Sequence, residues 1–455
     1  MAVLGFHVVV CLVALTLFSK LASRVSFVSF FITNGLYRFI APSNNELRAL
    51  LPSSKEKNPR ARRKKREEEE SQGFNVPKSS EFQLKIVAVK PEDLQNFEMY
   101  SALHWLCLCV PICFAVYAIC EVYTFVFPDN KDLNVSVILI MVAAGFVLQV
   151  MMTLTAWLVT NDDERGFMMM IAALYFLISC IFSMFADRLF DVQMLTAYEK
   201  LSSNIVTFVD SSGIMTNTTI TDVRPDNPLF LYISLSIFFS VLSAMLVFPN
   251  FRCALLYLRA IETDGVLKRI LDHIAFVLPA LILVTFSLPV KYRLVDSPRK
   301  LMTSDQLDIL RVYLVILWMI LRFAVRVSHL QAHLNLSYEK VAQLQKQSGS
   351  VKNFAVQSMV LRYYSYICCA SIQYFGPSIL AALFAVLLKT AGGLSWLGTA
   401  GIPEDQSLEG LGPLRFVFDH FVCRQFFSFL VLVTLVINFS LSVMGVVYHN
   451  YLASN

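Results

Sequence analysis

The feature that most limits this chain is a series of unbroken apolar runs, each nearly as long as a bilayer is thick. A hydrocarbon core of about 30 Å needs roughly 20 apolar helical residues to span it. Nine segments meet or approach that length, at about 1–18, 102–127, 133–160, 166–186, 228–249, 273–294, 307–327, 363–391 and 424–448. A soluble core would space its apolar residues at helix or strand periods, whereas runs this continuous belong in lipid. Composition agrees: 56% of the 455 residues are hydrophobic and 16% charged, against about 25% charged in soluble chains. A disordered chain, a secreted disulfide scaffold and an ordinary cytosolic enzyme are excluded. The expectation is an all-α polytopic membrane protein with about nine transmembrane helices plus interfacial amphipathic helices.

The chain divides into three regions. Residues 1–18 form an N-terminal transmembrane helix or signal-like segment, 19–100 a cytosolic basic and acidic loop, and 101–455 an eight-helix membrane domain. Long loops interrupt that domain at 187–227, 328–362 and 392–423. The first run is expected to be retained: its first basic residue, Lys20, comes after the apolar stretch, whereas a secretory signal begins with positive charge. Placing 19–100 in the cytosol and alternating gives cytosolic segments 24 Lys and Arg against eight outside, the orientation that the positive-inside bias favours. The N-terminus is then outside and the C-terminus inside. Of the sequons at Asn134, Asn217, Asn335 and Asn438, only Asn217 lies well within a long outside loop, so it is the expected glycosylation site.

Low overall charge concentrates attention on the charges that remain. Lys55 to Arg66 holds eight basic residues and is succeeded by Glu67 to Glu70. It reads either as a contact with anionic lipid headgroups or as a solvated linker whose acidic run weakens the field. In the seventh span Arg311, Arg322, Arg326, His329, His333 and Lys340 share a sector of about 60° if the helix is continuous. Asp308 joins that sector and can pair with Arg311 at i+3. Arg322 sits about a turn inside the apolar limit and needs a partner, a wet cavity or a route to the interface. The spacing lacks the regular Arg repeat of a voltage sensor. Glu121 is the clearest intramembrane acid, and sidedness makes Lys389 and Arg311 its candidate partners, in an ion pair or in an ion or proton site.

Weaker signals surround these. Pro111, Pro279, Pro289 and Pro377 lie in or near spans, where broken helices can build transporter sites, but no pattern repeats between halves. Ten cysteines lie almost wholly in or beside spans, so no disulfide framework is indicated; Cys253, at a membrane edge, is a lipidation candidate. His329 and His333, at i and i+4, could share a metal or form an interfacial polar pair. No dinucleotide loop, phosphate loop, HExxH or nucleophile elbow is present, and nothing assembles a general acid with a base. No enzymatic activity, cofactor or nucleic-acid partner is expected. The polar, amphipathic stretch 328–362 is either the candidate surface for a cytosolic partner or an extension of span seven lying on the bilayer.

A collinear set of short motifs adds a resemblance. SHLQAHLNL at 328–336 stands with NGLYR at 34–38, ELR at 46–48, EVY at 121–123, FPNFR at 248–252, IQYFGP at 372–377, LLKT at 387–390 and YHNYL at 448–452. In this order and spacing they resemble the transmembrane protein 161 family over nearly the whole chain. The resemblance implies a multi-pass glycosylated membrane protein. It also implies a role in modulating potassium and calcium currents, in cardiac rhythm and in resistance to oxidative stress, through ion channels or other membrane proteins. It supplies no established site residues. It singles out the polar residues within or beside the matched stretches: Glu121, Arg252, Arg322, His329, Gln373 and Lys389, to which the seventh span adds Arg311, Arg326 and His333. The competing reading is a transporter or ion conductor using that polar face with Glu121; a membrane-embedded enzyme stands third.

Overall fold

A computed structural model describes residues 5–22, 24, 27–49, 51, 73–78, 83–127, 135–212, 228–298, 300–398 and 417–452. Its helices of more than ten residues are, in chain order, α1 (Phe6–Ala22), α2 (Tyr100–Val126), α3 (Val135–Leu158), α4 (Asp162–Leu189), α5 (Met194–Ser212), α6 (Leu229–Thr263), α7 (Val266–Thr285), α8 (Ser304–Ala324), α9 (Arg326–Gln345), α10 (Asn353–Ser365), α11 (Ile367–Ala391) and α12 (His420–Val447). Among the described residues six stretches are long and apolar enough to cross a membrane: α2, α3, residues Asp162–Ser183 of α4, α6, α10 with α11, and α12 with the turn after it. The nine expected spans are therefore not all met. Among the described residues α1 contributes a shorter apolar stretch, Phe6–Leu17. α7 carries Lys268, Arg269 and Asp272, and α8 carries Asp305, Asp308, Arg311 and Arg322, which lower their hydropathy.

Helix α11 is the axis of the bundle. Every residue from Ile367 to Ala391 is buried, and α3, α6, α8 and α12 pack around it with α2 and α9. Small residues along it, including Ala370, Ser371, Gly376, Ala381, Ala382 and Ala385, let neighbouring backbones come close, the usual basis of helix association in lipid. The same logic holds where α12 meets α6. A Cβ on Gly445 would lie 2.8 Å from Ala254 Cβ and 3.1 Å from Phe251 Cα, whereas one on Gly376 would meet only the flexible side chain of Met151. Backbone cannot step aside as a thioether can. Gly445→Ala is thus expected to cost about 1–3 kcal/mol, and Gly376→Ala less, in thermal unfolding of the detergent-purified chain. Equal effects would mean that the α6–α12 approach is not limiting.

Two boundaries differ from expectation. The fifth span does not stop near 249: α6 runs through Pro249 to Thr263, about 52 Å at 1.5 Å per residue, so it outlasts the bilayer and continues beyond it. The seventh span and the polar stretch after it are not one helix. Val325 (φ −91°, ψ 5°) leaves the helical region and separates α8 from α9, which breaks the shared sector assumed for Arg311 to Lys340. The helices run through Pro111, Pro279 and Pro377 as well, while Pro289 begins the short turn Leu288–Lys291.

One end of the bundle, the inner end if residues 19–100 are cytosolic as expected, carries α9, α10 and the described parts of 19–100. That segment holds more than a loop. β1 (Tyr37–Ile40) is paired with a later strand, as is β2 (Asn75–Pro77): β3 (Lys85–Ala88) lies antiparallel to β1, and β4 (Ser350–Lys352) antiparallel to β2. β1 docks on α9 through Gln331, whose Nε2 donates to Tyr37 O at 3.1 Å while Tyr37 N donates to Gln331 Oε1 at 3.0 Å. Ser328 to Leu334 are consequently buried, so the first part of 328–362 is an internal packing element and not an open partner surface.

Candidate functional site

At the other end of the bundle, opposite β1 and α9, six charges from four parts of the chain close on one another. Arg311 on α8 donates from Nη1 to Asp308 Oδ1 at 2.5 Å, and from Nη2 to Asp191 Oδ2 at 3.0 Å and Thr285 O at 2.7 Å. Lys291 Nζ reaches the other oxygen of Asp191 at 2.6 Å. Arg424 on α12 donates from Nε to Asp308 Oδ2 at 2.6 Å and from Nη1 to Asp305 Oδ1 at 2.8 Å. The guanidinium of Arg311, only 1% exposed, also lies 4.3 Å from the centre of the Phe286 ring. Three acids face three bases, so the network is neutral, and each buried charge has an opposite partner, as burial demands. The i+3 pair Asp308–Arg311 was legible in the sequence; Asp191, Lys291, Asp305 and Arg424 were not singled out.

Glu121 on α2 pairs with Lys389 near the end of α11. Trp396 Nε1 donates to Glu121 Oε2 at 2.9 Å, and its ring lies 5.0 Å from Lys389 Nζ. Of the two partners expected for Glu121, Lys389 takes the position and Arg311 is held in the other network. The next residue of α11, Thr390, shares a 2.8 Å hydrogen bond with Tyr117 one turn before Glu121, so the pair is fixed from both helices.

Toward the inner end Arg322 is buried with no carboxylate on it among the described residues. Its Nη2 lies 3.5 Å from Cys253 Sγ, and its guanidinium sits over Tyr374 at 4.5 Å and Trp318 at 5.5 Å. Aromatic faces attract such a cation by their quadrupoles. His329 Nε2 donates to Cys253 O at 3.1 Å, and Tyr374 Oη donates to Arg322 O at 2.9 Å. These residues, with Asp272 and Asn438, line a cavity of about 40 Å³, room for a few waters and for no organic ligand. Burial and the nearby Arg322 charge push His329 down to about 3, so it is a neutral hydrogen-bond donor here. Arg322 therefore does not snorkel; it occupies an internal polar site.

The remaining candidates fall elsewhere. Arg326 is an anchor, donating to Phe323 O at 3.1 Å and Phe30 O at 3.3 Å. His333 Nε2 donates to Tyr363 O at 2.9 Å, and burial beside Arg252 likewise lowers it to about 3. His329 and His333 thus each engage a different backbone carbonyl, and among the described residues no group of three His, Cys, Asp or Glu is placed to hold a metal. Arg252 and Gln373 join His333 in a separate, larger cavity. All ten cysteines are free thiols, and Cys253 is buried between α6 and α8, not at an exposed membrane edge. Asn217, Asn134 and Lys55–Arg66 lie outside the described residues.

Long apolar helices around a fully buried axis define a multi-pass integral membrane protein. No solved structure matches this chain. A family model does, over residues 2–409 and 402–453, and its description reads predicted transmembrane protein 161AB; the chain belongs to that family.

Proposed function

We propose that this membrane protein is not an enzyme. In this reading it modulates potassium or calcium currents, and hence membrane excitability and ion homeostasis, by contact with ion channels or other membrane proteins. The family's implied links to cardiac rhythm and oxidative stress would stem from that. It crosses the bilayer about nine times, with α1, α7 and α8 added to the six apolar stretches and the N-terminus outside. α7 and α8 are admitted to lipid because the charges of α8 turn inward, where they meet Asp191, Arg424 and the Arg322 cavity. The observation that carries the reading is closure: Glu121 is held by Lys389 and Trp396, and Arg311 by two aspartates and a carbonyl. A conductor would need such groups free to bind and release its ion.

The test is reconstitution. Purified protein in liposomes is expected to give potassium and calcium fluxes equal to empty vesicles, while coexpression with a channel changes the amplitude or voltage dependence of its current. Flux above background from the protein alone would overturn the regulator reading and favour transport. Arg322, a charge at a cavity large enough for water, would then be the residue to neutralise, and loss of flux in Arg322→Gln would locate the path.

A further inference from the structure

At the inner end a second cavity, of about 710 Å³, opens between α3, α4, α6, α9, α10, α11 and the turn after α12. That is the size of a ligand site. Its deep part is chemically incomplete. Arg252 Nη1, Gln373 Oε1 and His333 Nδ1 are buried there with no hydrogen-bond partner among the described residues. Arg252 has no carboxylate among those residues within ion-pair distance either; the Tyr366 ring faces it, at 5.6 Å. A buried guanidinium with an open N–H is costly unless an anion meets it. His333 donates through Nε2 to Tyr363, so its bare Nδ1 is an acceptor, as is Gln373 Oε1. The cavity thus offers one cation and two acceptors at depth. Asp163 and Glu164, at the first turn of α4, add two acids at its rim, and the exposed Arg362 on α10 adds a second base there.

This pattern asks for a ligand with an anion and a cationic donor a few bonds apart. Its position supplies the source: Arg252 lies 23 residues into α6, about 34 Å along the helix, where the apolar part of α6 gives way to headgroups. Phe167, Phe248, Phe251 and Leu255 form an apolar wall beside it. We propose that this cavity binds an aminophospholipid, its phosphodiester on Arg252 and its ammonium toward Asp163, Glu164 and the buried acceptors. A free anion would leave the acids and the apolar wall without a role, and the two acids weigh against a polyanionic headgroup even with Arg362 beside them.

The full chain, purified in detergent and transferred to phosphatidylcholine nanodiscs with graded phosphatidylethanolamine, phosphatidylserine, phosphatidylglycerol or phosphoinositide, tests this by native mass spectrometry of retained lipid. Wild type is expected to retain phosphatidylethanolamine or phosphatidylserine over phosphatidylcholine and phosphatidylglycerol. Arg252→Gln should reduce that retention at least about tenfold, as loss of one partner of a buried charge contact does. Should Arg252→Gln not fold, the rim variant Asp163→Asn with Glu164→Gln decides, because those side chains reach solvent; it should abolish the preference for amine-bearing lipid over phosphatidylglycerol. Equal retention of all lipids, a preference for phosphoinositide, or displacement of the lipid by millimolar inorganic phosphate would each overturn the proposal.

Discussion

Arg311→Met is expected to cost about 3–5 kcal/mol, the range for stripping one partner from a buried ion cluster. Folded, monodisperse protein should fall sharply in fluorescence-detected size exclusion, and the chain that survives should melt well below wild type. The reason is that one guanidinium serves four groups: Asp308, Asp191, the carbonyl of Thr285 and the face of Phe286. Removing it leaves two carboxylates, 7% and 12% exposed, with only Arg424 and Lys291 among the described residues to neutralise them. Arg311→Lys keeps the charge but loses the fork that reaches both aspartates, and it should recover only part of the loss. Neutralising one acid in the Arg311→Met background, by Asp308→Asn, should restore only part of the stability: it returns the cluster to neutrality, with Asp191 on Lys291 and Asp305 on Arg424, but Asp191 keeps one of its two cations and the Thr285 carbonyl keeps none. Full rescue by that one change would show that the cluster is a set of independent pairs.

The network also shows where sequence reasoning reached and where it stopped. Apolar run length located the helices because lipid imposes it directly, residue by residue. Asp308 with Arg311 was legible because three residues along one helix is a fixed geometry. Glu121 with Lys389 came from sidedness alone, since only a few buried charges share a leaflet. Asp191, Lys291 and Arg424 carried no comparable signal: each sits at a helix end, where a charge is ordinarily solvated. What removes the solvent is the meeting of α4, α7, α8 and α12, a tertiary fact. Boundaries failed for local reasons. The span 228–249 ended where its apolar run ended, yet α6 continues through Pro249 to Thr263, and the break at Val325 has no proline or glycine to announce it.

The inner end was the least legible. β2 and β4 are separated by more than half the chain, and their few residues lack a distinctive alternation. The polar residues 328–334 looked like a solvated surface, but Gln331 and the two histidines are consumed by backbone groups of β1, α6 and α10. Arg252, Gln373 and His333 were each marked singly, from motifs far apart, and nothing in spacing said that they share one cavity. The short motifs at 248–252 and 372–377 therefore mark two adjoining environments. Arg252 and Gln373 open to the larger cavity, while Cys253 and Tyr374, the next residue in each, face Arg322 in the smaller one.

Glu121 and Lys389 make the opposite case from Arg311, because they are closed on each other. Lys389→Met alone strands Glu121 with one indole donor, and Glu121→Gln alone strands an ammonium 3% exposed in the bundle. Each single change should cost about 3 kcal/mol. The double variant replaces both charges at once, and a buried ion pair exchanged for neutral groups of similar size is often close to neutral in stability. It should therefore melt within about 1 kcal/mol of wild type, giving a coupling energy larger than either residue's contact with the surrounding helices. Channel modulation in coexpression should survive in the double variant, since its shape and neutrality are kept. If the two losses instead add, the charges do not hold one another, each is poised for something that enters and leaves, and the closed-pair basis of the regulator reading fails.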